Sequence, residues 1–281
     1  MIMIKPCLRL AILMCCLGWA WNEASAQTPD HSAAPTVPVT KELLMDGHVF
    51  AVEGHVAFLM PPKPEKRIEP MPWVWYAPTL PGLPAEEERW MFERFLAAGM
   101  AIAGIDAGES YGSPAGRAAY SALYKELTEK RGCAKKACLL ARSRGGLMLY
   151  NWACEHPEAV ACIAGIYPVC NLRSYPGISK ACSAYGLSEA ELTAQLSLHN
   201  PIDRLAPLAK MKVPIFHIHG DSDTTVPLAD NSGELARRYR ELGGRIELVI
   251  PKGQGHTMWP GFFQCQELVD FILSKRGVAE Y

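Results

Sequence analysis

The sequence predicts an α/β chain, a doubly wound and mostly parallel sheet carrying a small cap insertion. Three observations predict it. From about residue 55 to the C-terminus, apolar runs of strand length alternate with amphipathic helical stretches. One of those runs passes into a helix through small residues around a serine, Ala141-Arg142-Ser143-Arg144-Gly145. The rhythm then breaks once, between about Asn171 and Leu198, and resumes. Such alternation suits a parallel sheet, because each parallel connection must cross back over the sheet and usually does so as a helix.

Taken in order, residues 1–26 have the layout of a secretory signal. Lys5 and Arg9 precede the apolar run Leu10–Ala20, and Ala24-Ser25-Ala26 places small residues before Gln27. The run is too short to span a bilayer, so the expectation is a secreted or periplasmic chain that has no membrane attachment after cleavage. Residues 27–45 read as a loose leader rich in Pro, Ser and Thr, and the domain is expected over 46–281. Strands are predicted at His55–Met60, Trp73–Ala77, Met100–Ile105, Ala137–Ala141, Ala161–Tyr167, Val213–His219 and Arg245–Ile250. Helices are predicted at Glu86–Ala98, Pro114–Lys130, Gly145–Glu155, Leu228–Leu242 and Phe262–Lys275. Pro114 suits a first helical turn, and Gly243-Gly244 a helix stop. The polar segment 171–198, with Pro176, Gly177 and one helical stretch at Ser188–Leu198, reads as the cap over the C-terminal edge of the sheet.

Composition narrows the function. The 281-residue chain carries a formal net charge of −1 and no dense basic run, which argues against nucleic acid or an acidic membrane surface as partner. Three of its ten cysteines (Cys7, Cys15, Cys16) fall in the signal, leaving seven. In an oxidising compartment Cys133 with Cys138, and Cys170 with Cys182, are bridge candidates. No C-x-x-C pair is present. The run His217-Ile218-His219-Gly220-Asp221 is similar to binuclear metal sites, but that pattern needs a His directly after the Asp, where Ser222 stands. Two imidazoles one residue apart share a strand face and read as core side chains. Neither metal nor cofactor is expected.

The chemistry concentrates on Ser143. A strand that turns sharply into a helix leaves no room for large neighbours, which explains Ala141, Gly145 and Gly146 around the serine. The turn lifts the hydroxyl to a helix N-terminus, where free N–H groups favour developing negative charge. A serine hydroxyl needs a base, and the base needs an orienting carboxylate. Both follow in order: Asp223 in Gly220-Asp221-Ser222-Asp223-Thr224-Thr225-Val226-Pro227 after one strand, and His256 in Lys252-Gly253-Gln254-Gly255-His256 after the next.

The elbow, the GDSDTTVP turn and the order Ser143, Asp223, His256 resemble the α/β-hydrolase superfamily. Within it they resemble secreted bacterial dienelactone-hydrolase and prolyl-oligopeptidase-type catalytic domains, with a likeness running from about Val49 to the C-terminus. The resemblance implies that Asp223 rather than Asp221 is the acid. It also implies an oxyanion hole built from the Arg144 N–H and a donor after Trp73–Ala77. Pro78 has no N–H, so Tyr76 or Ala77 is expected there, with the Tyr76 phenol as an alternative. Ala141 replaces the usual glycine, and no HGGG-type motif follows the strand. Ser143-Arg144-x-Gly146 also resembles the elbow of glucuronoyl esterases, where the Arg assists the oxyanion.

Arg142 is expected to point away from the site. Arg144 works against the helix dipole and should be compensated, by Glu109 or by substrate. Glu109 and Tyr111 in Asp106–Pro114, together with Tyr167, Tyr175 and Trp259, are the candidate substrate contacts. The expected activity is hydrolysis of a carboxylic ester through an acyl-enzyme, with a small-molecule or oligosaccharide ester, carbohydrate-linked or aryl, as substrate. The alternatives are a serine peptidase of the oligopeptidase kind and a non-catalytic binding module on the same scaffold.

Overall fold

The computed structural model describes residues 40–276, so the signal and most of the leader lie outside the described residues. Eight strands form one sheet: β1 (His48–Val52), β2 (His55–Met60), β3 (Trp73–Tyr76), β4 (Ala101–Ile105), β5 (Ala137–Arg142), β6 (Val160–Ile166), β7 (Ile215–Ile218) and β8 (Ile246–Val249). Their spatial order is β1-β2-β4-β3-β5-β6-β7-β8. The β1–β2 hairpin and the β2–β4 pair are antiparallel, and every later pair is parallel. β1 was not among the predicted strands. It is an edge strand of mixed exposure, so its sequence lacks the solid apolar run that marks the central strands.

The helices are α1 (Arg89–Ala97), α2 (Pro114–Lys125), α3 (Gly145–Glu155), α4 (Ile178–Tyr185), α5 (Glu189–Ala194), α6 (Ala206–Lys210), α7 (Ser232–Glu241), α8 (Pro260–Phe263) and α9 (Gln266–Leu273). Strand alternation sorts them onto two faces. Trp73, Trp75, Leu139 and Ala141 point to one side and meet Tyr120 and Leu123 of α2, Met148 to Ala153 of α3, and Leu235 and Tyr239 of α7. Val74, Tyr76 and Leu140 point to the other and meet Met91, Phe92 and Phe95 of α1 and Phe262 to Ile272 of α8–α9. Each such fully buried apolar side chain contributes about 1.5–3 kcal/mol, so both faces are anchored.

The helix predicted at Gly145–Glu155 is found with those bounds, and several of the others are shorter in the structure. The 228–242 stretch breaks at Asn231, whose φ −119° and ψ −98° are not helical. The side chain of Asn231 explains the break. Its Oδ1 accepts from the N–H groups of Cys170 and Asn171, and its Nδ2 donates to Ser174 Oγ and the Pro227 carbonyl. The cap holds two helices, α4 and α5, where one was predicted. It packs a small core of its own from Leu172, Ala181, Leu192 and Leu196 onto Leu147, Val169 and Val226.

The expected disulfides are not formed: all seven cysteines among the described residues are free. Their places in the fold give the reason. Cys138 lies on β5 and faces α1 and α9, whereas Cys133 is buried on the opposite face of the sheet. Cys170 is in the face that holds α3 and α7, while Cys182 packs on the cap core.

Candidate active site

Ser143 sits on the turn from β5 into α3 with φ +47°, a left-handed conformation that serine keeps only when the surroundings impose it. They do. The Ser143 N–H donates to the Ile166 carbonyl at 3.0 Å, and its own carbonyl accepts from Gly146 at 2.9 Å and Val169 at 2.8 Å. At Gly146 a Cβ would come within 2.4 Å of the Val169 carbonyl oxygen, so the turn closes only over glycine. The Arg144 N–H meets no protein acceptor among the described residues.

Two later strand ends complete the constellation. His256 lies in the loop after β8 and places Nε2 2.9 Å from Ser143 Oγ. Its Nδ1 lies 2.7 Å from Asp223 Oδ2. Asp223 follows β7, and its Oδ1 accepts from the N–H groups of Thr225 at 3.0 Å and Val226 at 2.8 Å. Burial pushes the Asp223 carboxyl up, but hydrogen bonds from His219, His256 and the Val226 N–H, with the charge on His256, hold it well below the usual carboxylate range. Asp221 is exposed and points elsewhere. Its Oδ1 accepts from the Gly253 N–H at 2.7 Å and so ties the acid loop to the histidine loop.

The residues around the turn divide into two groups. Arg144 pairs with Glu109, whose carboxyl is pushed up by burial and only partly brought back by that guanidinium. Tyr111, at φ +46°, lies beside the pair. Trp259 is 37% exposed in the loop that carries His256, edge-on to Phe262. Tyr167 does not lie on the rim. It is fully buried, and its ring sits under His256 at a centroid distance of 4.3 Å. Burial, partly offset by Arg142, pushes its phenol up to about 12.

Arg142 turns away from the site. It is buried against Glu88 at 2.5 Å, with the Met258 sulfur 2.9 Å from its other terminal nitrogen. The Tyr76 phenol donates to the same Glu88 carboxylate at 3.0 Å, and its ring packs with Phe92, on the face away from Ala77. It is therefore not aimed at Ser143. Ala77 turns its carbonyl oxygen and methyl group toward Gly145. The next N–H along the chain belongs to Thr79, which is buried, packs beside Gly145 and has no protein acceptor for that N–H among the described residues. Thr79 was not among the residues singled out from the sequence. Among the described residues no group of three metal-ligating side chains occurs.

A serine on a strained strand-to-helix turn, joined to a histidine and an aspartate from two later strand ends of a mostly parallel sheet, defines an α/β-hydrolase. The fold agrees with solved structures at low sequence identity. A puromycin-hydrolysing peptidase of Mycobacterium tuberculosis aligns with a TM-score of 0.67 at 15% identity, over 84% of this chain and 40% of that one. A truncated carbohydrate esterase from gut microbiota aligns at 0.64 and 16%, over 81% and 93%. Est1E from Butyrivibrio proteoclasticus aligns at 0.59 and 16%, over 82% and 98%. The chain belongs to the prolyl oligopeptidase family, whose sequence pattern matches residues 122–273, and is thereby placed among serine hydrolases. Curated relatives include acylamino-acid-releasing enzyme 2 of Oryza sativa subsp. japonica, 28% identical over 128 residues, 42% of this chain and 16% of the relative. The acylamino-acid-releasing enzyme of Arabidopsis thaliana is 26% identical over 129 residues, 43% and 17%. The chain thus spans about one sixth of the length of these relatives.

Proposed function

We propose that this chain hydrolyses carboxylic esters through an acyl-enzyme on Ser143. One observation carries the reading: the unbroken contact from Ser143 Oγ through His256 to Asp223, at 2.9 and 2.7 Å. His256 takes the hydroxyl proton as Ser143 Oγ attacks the carbonyl carbon. Asp223 holds the ring with Nδ1–H toward itself and stabilises the imidazolium. The N–H groups of Arg144 and Thr79 receive the oxyanion. The tetrahedral intermediate collapses as His256 returns the proton to the departing alcohol. A water then repeats the sequence and frees the acid.

Support for an ester, carbohydrate-linked or aryl, comes from the rim of Arg144, Tyr111 and Trp259 and from the name of the carbohydrate esterase that aligns over 93% of its length. A second reading, cleavage of a blocked or short peptide, has its support in the family match and in the names of the plant relatives. The same acyl chemistry serves both. The test is a panel of sugar acetates, feruloyl and uronic-acid esters, p-nitrophenyl esters and N-acetylated amino acid anilides, run with Ser143→Ala beside the parent. Turnover of an ester and its loss in Ser143→Ala, with a fluorophosphonate label mapping to Ser143, is the expected result. An active Ser143→Ala variant overturns the assignment of the nucleophile, and anilides turning over faster than every ester overturns the choice of ester.

A further inference from the structure

Behind Asp223 runs a buried polar chain that the hydrolytic mechanism does not use. His217 and His219 lie one residue apart at the end of β7, so both rings enter the same face, between α3 and α7. Both are fully buried. His219 Nε2 lies 2.8 Å from the Val226 carbonyl and 3.3 Å from Asp223 Oδ2. Its Nδ1 lies 2.8 Å from Ser232 Oγ, and the same hydroxyl is 2.9 Å from His217 Nδ1. His217 Nε2 in turn lies 2.7 Å from the Tyr150 phenol.

The Asp223 end of this chain fixes the direction of its hydrogen bonds when both rings are neutral. The Val226 carbonyl and the Asp223 carboxylate only accept, so His219 carries its proton on Nε2 and accepts on Nδ1. The Ser232 hydroxyl therefore donates to His219, and its oxygen takes the His217 Nδ1–H. His217 Nε2 is left to accept, and the Tyr150 O–H supplies the donor. Burial, with His219 next to it, pushes His217 down to about 3, which keeps the ring neutral, and burial keeps the Tyr150 proton in place. Every donor in the series points toward Asp223.

The packing makes room for it. Gly165 is the register partner of His217 on β6, and a Cβ there would lie 2.6 Å from the imidazole. Asp223 Oδ2 therefore lies between two rings, bonded to His256 Nδ1 at 2.7 Å on the catalytic side and 3.3 Å from His219 Nε2 on the core side, while Val226 is held at its carbonyl by His219 and at its N–H by Asp223.

We propose that His219 is a positioning residue for the triad acid, backed by the polarised series Tyr150–His217–Ser232, and this rests on the reading of Ser143, His256 and Asp223 as the catalytic set. The His219 N–H fixes the Asp223 carboxylate against His256 and withdraws part of its negative charge. Removing it leaves a looser and more basic carboxylate. The groups that face His256 are Asp223, Ser143 and, from the end of β6, Tyr167. Those that face Asp223 are His219 and His256, with the Tyr167 phenol close enough to feel its charge.

The test compares His219→Leu, His219→Gln, Ser232→Ala and Tyr150→Phe in the full chain, each first checked for folding by thermal melting. With p-nitrophenyl acetate, His219→Leu should lower kcat roughly 10- to 100-fold, the rate equivalent of one hydrogen bond to a charged group, with KM nearly unchanged. The acid limb of its kcat/KM profile should move to higher pH. His219→Gln keeps an N–H donor and should recover most of both. Ser232→Ala should show a smaller loss and Tyr150→Phe a smaller one still, because each is a step further from Asp223. The low-field proton resonance of His256 Nδ1–H should shift in the same order, a readout independent of turnover. Parent-like kcat, pH profile and resonance in a folded His219→Leu overturn the proposal. Should that variant not fold, the same parent-like behaviour in folded Ser232→Ala overturns it. Full activity in Ser143→Ala instead overturns the catalytic reading, and the resonance series then judges the contact between His219 and Asp223 by itself.

Discussion

Replacing Glu88 by leucine removes the carboxylate that neutralises Arg142, one residue before Ser143, and leaves the guanidinium in place. Arg142 is 9% exposed and Glu88 fully buried, so solvent screens the pair very little. Removing one member of such a pair leaves an uncompensated buried charge and costs about 3–5 kcal/mol. The Tyr76 phenol also loses its acceptor. In a domain of this size each kcal/mol moves the melting temperature by about 2–4 °C, so a fall of about 10 °C is expected. Glu88→Leu with Arg142→Met should recover most of the loss, because two apolar side chains replace both charges and neither is stranded. The assay is urea unfolding followed by circular dichroism on the parent, both single variants and the double variant at pH 7. A Glu88→Leu cost below about 1 kcal/mol, or a double variant as unstable as the two singles summed, refutes the reasoning. Because the Met258 sulfur rests on Arg142 two residues after His256, Glu88→Leu should also lose activity at temperatures where it remains folded.

Asp223→Asn should lower kcat by about 10³–10⁴, since the amide no longer holds His256 in the right tautomer, whereas Asp221→Asn should stay within a few-fold; steady-state kinetics on both variants decide between the two carboxylates. Thr79→Pro removes one proposed oxyanion donor and should cost about 10²–10³ in kcat with little change in KM, measured with the same ester. Because the folded Asp223 carboxyl is held low, its contribution to stability is fully present above about pH 4 and is lost as the pH falls through the folded value. Acid unfolding of Asp223→Asn should accordingly be less steep in that range than that of the parent, and identical curves would count against the depressed carboxyl.

Much of this was legible from the chain. The central parallel strands are nearly solid apolar runs because both faces are covered, and Ser143, Asp223 and His256 could be ordered because each follows a strand-length run. What escaped were residues whose role comes from partners distant in sequence. Tyr167 looked like a rim aromatic, and nothing local says that its ring turns under His256. The histidines at 217 and 219 were recognised as core side chains, but their partners Ser232 and Tyr150 belong to α7 and α3. Asn231 sits inside a convincing helical period, and only the cap N–H groups it receives explain why the helix stops there. The cysteine pairs were misjudged because closeness along the chain says little once the fold sends one partner to the opposite face of the sheet or out into the cap.

Those cysteines have a practical consequence. Six of the seven are buried, and burial pushes the thiols of Cys133 and Cys154 up to about 12 and that of Cys265 up to about 11. A thiol that rarely ionises and never meets solvent is invisible to alkylating reagents while the fold is closed. Apart from the half-exposed Cys182, each is therefore a silent label on the two faces of the sheet, and the rate at which it becomes modified measures how often that face opens.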